Sequence, residues 1–227
     1  MKRYLVDSAA IRQNLETLKK RAGKARLFSV VKGNGYGLGL VPLAAICRDA
    51  GVDTFCVTEV SDAKQLRDAG FTQDILMIRP TCDVDEVHQL LDLSVILTVS
   101  SPDDAAVLNG IATQRKQRIR AHVEIDTGMG RYGFLPSELD KLIHLYSYMD
   151  GLELCGIYTH FHSAFCNKKA TDLQMVCFRS VIRQLQEKGF DVGICHCCNS
   201  AGLLRFPNYA MDAVRVGSAI LGRLSFK

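Results

Sequence analysis

A (β/α)8 barrel, the TIM-barrel architecture, is the fold that this 227-residue sequence predicts. Three observations lead to it. Eight short apolar runs of strand length alternate with stretches of helical periodicity. The runs are continuous and β-branched, as in strands buried on both faces of a parallel sheet. No linker, repeat or low-complexity tract divides the chain, and eight alternations in this length suit a closed barrel better than an open doubly wound sheet.

The elements follow in order. "RYLVD" (residues 3–7) reads as a strand ahead of the repeat, so residues 1–7 are set apart from a barrel domain over 8–227. Ser8 is placed to cap the first helix, where Ile11, Leu15 and Leu18 share a face. Strands are expected at 26–32, 53–58, 74–78, 94–99, 119–125, 154–159, 192–197 and 213–217. Gly51, Gly70 and Gly189 sit where helices should stop. Ser101-Pro102 pairs a cap with a first-turn proline, and Phe178, Val181, Ile182 and Leu185 repeat at helical spacing.

Composition narrows the function classes. The chain is 48% hydrophobic and 23% charged, with a mild net charge of +4. Its densest basic run, "QRKQRIR" (114–120), reads as a solvated helix end, which argues against nucleic acid. No window approaches the roughly 20 apolar residues of a membrane helix. Asp7, Arg12 and Gln13 interrupt the N-terminus, which therefore does not read as a signal peptide. Nine cysteines, an odd number, then point to a reducing compartment, the cytoplasm. "CHCC" (195–198) contains one C-x-x-C, with His160, His162 and His196 elsewhere, but zinc sites normally pair two such units. The segment reads as a buried strand, and no metal is expected.

In a barrel, chemistry sits just past the C-terminal ends of the strands. Lys32 ends the first strand and opens "KGNGYGLG"; Glu124 and Asp126 end the fifth, followed by "TGMGRYG" with Arg131. His160 and His162 follow the sixth, Asn199 and Ser200 the seventh, and Arg215, Gly217 and Ser218 the eighth. The glycines behind Lys32 fit neither a dinucleotide fingerprint nor a P-loop. A plain bend and a socket for a nucleophilic lysine remain. Barrel phosphate sites commonly use the loops after strands seven and eight, here Ser200 and the amides of Gly217 and Ser218. A lysine facing a phosphate cup suits pyridoxal 5′-phosphate (PLP).

Five blocks, "VVKGNGYGLG", "EIDTGMGRYGF", "GIYTHF", "NSAGLLRFP" and "AVRVGSAILG", resemble in order those of the alanine racemase family, across almost the whole chain. The resemblance implies that Lys32 holds PLP covalently and acts as one of two racemising bases. Tyr36 would bond the phosphate with Ser200 and the amides of Gly217 and Ser218. His160 would lie against the ring, Arg131 would contact its phenolic oxygen, and Arg215 would face the pyridine nitrogen. An arginine does not accept the pyridine proton, so the ring stays neutral and is the weaker electron sink. Asn199 and Tyr158 match the pattern as supporting residues.

The sequence departs from the family in four places. Glu124 stands where many members have a lysine, carbamylated in some, that orients the loop arginine; its carboxylate is expected within hydrogen-bond reach of Arg131. Leu38 replaces a frequent histidine and Leu221 a frequent tyrosine. The chain stops at Lys227, where the family begins a C-terminal β-domain carrying the second base, so the expectation is the N-terminal barrel of a longer, homodimeric racemase. Alanine is the default substrate, with serine and lysine as other amino acids that fit. Two alternatives stand beside this reading: a single-domain PLP-binding homeostasis protein without turnover, and a metal- or thiol-based protein using "CHCC" with His160 and His162.

Overall fold

The computed structural model describes residues 5–223. Eight strands form one sheet: β1 (Arg26–Val30), β2 (Thr54–Val57), β3 (Asp74–Met77), β4 (Leu97–Val99), β5 (Ile119–Glu124), β6 (Leu152–Tyr158), β7 (Ile194–His196) and β8 (Ala213–Val216). Every pairing is parallel, in the order β3-β2-β1-β8-β7-β6-β5-β4. A parallel bridge between Leu76 and Ile96 joins the two ends, so the sheet closes into the expected barrel.

Burial on both faces explains the continuous apolar strands. Leu27, Phe55, Val57, Ile75, Met77, Val99, Val123 and Val214 belong to the large outer core beneath the helices. Phe28, Val30, Cys56, Leu76, Ile96 and Ala213 form a separate cluster inside the barrel. Side chains on a strand alternate in direction, so residues one position apart serve different cores.

The helices are α1 (Ser8–Ala22), α2 (Leu40–Asp49), α3 (Val60–Asp68), α4 (Val84–Asp92), α5 (Pro102–Arg115), α6 (Leu139–Tyr148), α7 (Lys168–Glu187) and α8 (Ser200–Arg205). Seven of them follow β1 to β7. Behind β8 comes only a 3-10 turn, Ser218–Leu221, among the described residues. The helix position there is filled by α1, which packs on α2, α8 and that turn. Asn14 Nδ2 donates to the Ile220 carbonyl at 3.0 Å and pins α1 in place.

Asp7 caps α1, accepting from the Ala9 and Ala10 amides, where the sequence suggested Ser8. Both residue types cap well, and only the chain's entry angle chooses between neighbours. The same residue corrects the expected strand at 3–7: Arg3 and Tyr4 lie outside the described residues, and Leu5 to Asp7 form no strand. The other signals behave as read. Ser101 caps α5 with Pro102 in its first turn, and Gly51, Gly70 and Gly189 take φ of +80°, +81° and +87° behind helix ends. No described helix is long and apolar enough to cross a membrane.

Candidate active site

A cavity of about 490 Å³ opens at the C-terminal ends of the strands. Ten residues expected there from sequence line it: Lys32 and Tyr36 behind β1, Arg131 behind β5, Tyr158 and His160 on and behind β6, Asn199 and Ser200 behind β7, and Arg215, Gly217 and Ser218 on and behind β8. Glu124 is not at the wall. It lies buried below, 2% exposed.

The glycines behind Lys32 answer to geometry. Residues 33 to 35 have φ/ψ near +61/+48°, +52/+49° and +63/+39°, and Tyr36 and Gly37 follow at φ +56° and +87°. This is a left-handed helical turn, closed by hydrogen bonds from the Gly35 amide to Val31 and from the Gly37 amide to Gly33. A left-handed turn costs roughly 1–2 kcal/mol for each residue with a side chain, so glycine fills most of it. Asn34 bears the strain with its Oδ1 accepting from the Leu40 amide at 3.0 Å.

The turn swings Tyr36 across to β8. Its ring occupies the space a side chain at Gly217 would need: a Cβ built there would fall 2.7 Å from Tyr36 Cζ. Ser200 Oγ accepts from the Gly217 amide at 3.1 Å and the Ala219 amide at 3.3 Å. Tyr36, Ser200 and Gly217 thus meet in one cup. Burial pushes the Tyr36 phenol up to about 12, so it is a hydrogen-bond donor at neutral pH.

The floor is a polar network inside an otherwise apolar barrel. Arg215, 3% exposed, donates to His196 Nδ1, to the His196 carbonyl at 3.2 Å and to the Thr159 carbonyl at 2.7 Å. Since guanidinium only donates, His196 Nδ1 accepts and its Nε2 carries the proton, directed at His122 Nδ1, 2.8 Å away. Burial and the nearby Arg215 charge push His122 down to about 3 and His196 well below the usual histidine value. Both rings are neutral. The Arg215 guanidinium lies 4.7 Å from the centre of the Tyr158 ring, and among the described residues no carboxylate pairs with it.

Glu124 differs from expectation. It accepts from the Tyr158 hydroxyl at 3.1 Å, and no hydrogen bond joins it to Arg131 among the described residues. The reason lies in the intervening loop. Asp126 Oδ1 accepts from the amides of Gly128, Met129 and Gly130, curling the backbone around its carboxylate. Arg131 leaves that curl exposed, its guanidinium 5.4 Å from the Tyr132 ring centre. Nor is Glu124 a fixed anion: burial pushes its carboxyl up to about 7, against the opposing pull of Arg215, Tyr158 and Arg131.

On the far wall, Asn199 caps α8 through its Oδ1 and the Gly202 amide at 2.9 Å. That leaves its Nδ2 to donate to the Phe161 carbonyl at 2.9 Å and to face His160 Nε2 at a long 3.4 Å. His160 is thereby held with Nδ1 as its protonated nitrogen, and burial with Arg215, Arg131 and Lys32 pushes it down to about 3.

Residues 6–225 match the family model described as alanine racemase, N-terminal domain. The chain belongs to this family. It is 38% identical to the alanine racemase of Desulforamulus reducens over 96% of this chain and 59% of that protein. Among solved structures, the Bacillus anthracis alanine racemase with bound L-Ala-P is 32% identical with a TM-score of 0.87, covering 99% of this chain and 60% of that one. The Streptomyces lavendulae alanine racemase is 27% identical with a TM-score of 0.89, covering 95% and 57%. The chain therefore spans about three-fifths of the length of the alanine racemases it matches.

Within the alanine racemase barrel, sequence reasoning missed Val30, Ile78, Phe165, Ala201 and Arg223, which line the cavity, and His122, which builds its floor with His196. The sequence offers His196 only as a possible metal ligand. His122 carried a signal: counting back by twos from Glu124 reaches it, on the same inward face. Of the "CHCC" sulfurs, the Cys197 thiol donates to the Tyr209 carbonyl at 3.2 Å and faces Met175. Among the described residues, no three of His, Cys, Asp and Glu gather as metal ligands.

Proposed function

We propose that this chain binds PLP at Lys32 and provides the cofactor half of an amino-acid racemase, with alanine as the first substrate to test. The observation that carries the reading is the opposition across one cavity of Lys32 and an oxygen-donor cup, above an arginine that pairs with no carboxylate among the described residues. Lys32, Arg131, Arg215 and Arg223 give the cavity a positive field suited to a phosphate. The missing Cβ at Gly217 lets Tyr36 close the cup. These residues fit the cofactor.

When bound, PLP draws electrons from an amino acid's α-carbon and so acidifies its Cα–H. The chain's residues do the rest. Lys32 would hold the cofactor, and its Nζ would take or return a proton on one face. Tyr36 and Ser200 would anchor the phosphate. Arg215 would donate at the floor, His160 would present its neutral ring to the cofactor, and Arg131 would reach in from the wall. Asn199 fixes His160, and Tyr158 with Glu124 supports Arg215 from below.

The relatives are named alanine racemase, which favours turnover over the homeostatic carrier. We also place the protein in the cytoplasm, as a homodimer in its full-length form, supplying a D-amino acid as a cell-wall precursor. The odd count of nine cysteines supports that compartment.

Purified protein supplied with PLP should turn yellow, and borohydride should fix the cofactor on Lys32. Recovery of the adduct on Lys24 or Lys64 instead would defeat the assignment.

A further inference from the structure

The loops that carry Arg131 and His160 leave different strands, and one buried side chain outside the cavity ties them together. Gln174 lies near the start of α7 and is 2% exposed. Its Oε1 accepts from the His162 backbone amide at 3.2 Å and from His162 Nδ1 at 2.9 Å. Its Nε2 donates to Thr127 Oγ1 at 3.2 Å and to the His160 carbonyl at 3.1 Å. Every hydrogen-bonding position of the amide is in use.

The orientation of that amide follows from its partners. A flipped side chain would set oxygen against the His160 carbonyl and NH2 against the His162 amide. Because Oε1 only accepts, His162 holds its proton on Nδ1. The network continues inward: Thr127 Oγ1 lies 2.7 Å from Thr159 Oγ1, and the Thr159 carbonyl accepts from Arg215 at 2.7 Å. One amide therefore links the β5–α6 loop, the β6–α7 loop and the floor.

We propose that Gln174 is a positioning residue that keeps these two loops in register and so fixes where His160 and Arg131 stand at the cavity wall. Glutamine is the residue this task requires. An apolar side chain would leave the His160 carbonyl and the His162 amide without their partner, and glutamate would replace both donors with an acceptor. Asparagine falls one methylene short of partners in both loops.

The test compares the wild-type chain with Gln174→Met and Gln174→Asn. Val181→Ala serves as control, since it empties core volume on the same helix at a residue 1% exposed. Hydrogen exchange of the cofactor-free chains is read first. Both Gln174 variants should exchange at least about tenfold faster than wild type across 126–134 and 159–166, and unchanged at 32–40. The control should not single out those loops, and neither variant accelerating them would overturn the clamp.

The second readout rests on the PLP reading: visible-region circular dichroism of bound PLP at matched occupancy. It should fall by at least about half in the Gln174 variants and hold in Val181→Ala, because a fixed wall imposes one asymmetric environment on the ring. Faster exchange with unchanged dichroism would refute the positioning of His160. A wild-type chain that takes up no PLP would sink the cofactor reading, and the exchange comparison alone would then decide the clamp.

Discussion

Glu124→Gln isolates what it costs to keep a carboxyl group beneath the cavity floor. Burial raises that group from 4.5 to about 7 in the folded chain. At about 1.36 kcal/mol per pKa unit, the difference is on the order of 3 kcal/mol. The sign is set by where the proton is held. Between pH 4.5 and 7 the folded state binds a proton at Glu124 that the unfolded chain has released, so the stabilising contribution is full below about 4.5 and lost as pH rises to about 7. Glutamine removes that titration while keeping an oxygen that can accept from Tyr158.

The gain in stability on replacement should therefore be small near pH 5 and grow to as much as about 3 kcal/mol by pH 8. Urea unfolding of cofactor-free wild type and variant, in half-unit steps across that range, measures it. The neutral histidines of the floor titrate in both proteins and cancel in the difference. Parallel profiles would show that Glu124 keeps an ordinary carboxyl value and refute the burial argument. A variant that loses stability with rising pH would restore the sequence's expectation of a carboxylate held by Arg131.

Two further outcomes concern the cofactor and turnover. Gly217→Ala puts a methyl group where the Tyr36 ring lies, so PLP affinity should fall at least about tenfold, read by fluorescence titration, with little change in the fold; unaltered affinity would show that Tyr36 does not form the cup. Racemisation needs an acid/base on each face of the α-carbon; in the proposed reading Lys32 would serve one face, with Tyr36 and Tyr158 committed elsewhere. At matched PLP occupancy, D-alanine formation by these 227 residues should be at least about a hundredfold slower than by the Desulforamulus reducens enzyme; equal rates would mean that a second base lies within them.

Most of the barrel was legible because each strand is an apolar run and each helix an amphipathic one, patterns that burial alone dictates. The cavity wall was legible because polar residues cluster where apolar strands end. What was lost depends on side-chain direction. Ser8 and Asp7 are both good caps, and the sequence holds nothing to say which points back at the helix. Glu124 and Arg131 are seven positions apart, and only the curl of amides around Asp126 shows that the arginine stands at the open wall, out of hydrogen-bond reach of that carboxyl. Gln174 sits at a spacing that fits an ordinary helix face, and its four partners come from loops whose folding no local pattern encodes.

The floor explains why the barrel interior holds two histidines where leucines would pack as well. A buried guanidinium needs acceptors. A carboxylate would satisfy Arg215 but would also cancel its charge within the protein. Neutral imidazole and backbone carbonyls satisfy the same donors and leave the charge facing the cavity. His196 can play that part because His122 accepts its other proton, which fixes the tautomer. Protonating His196 would turn its acceptor nitrogen into a donor against Arg215, and burial together with the Arg215 charge holds that protonation off. The arginine and the two histidines thus stabilise one arrangement of protons. That arrangement presents a fixed donor to whatever occupies the cavity above it.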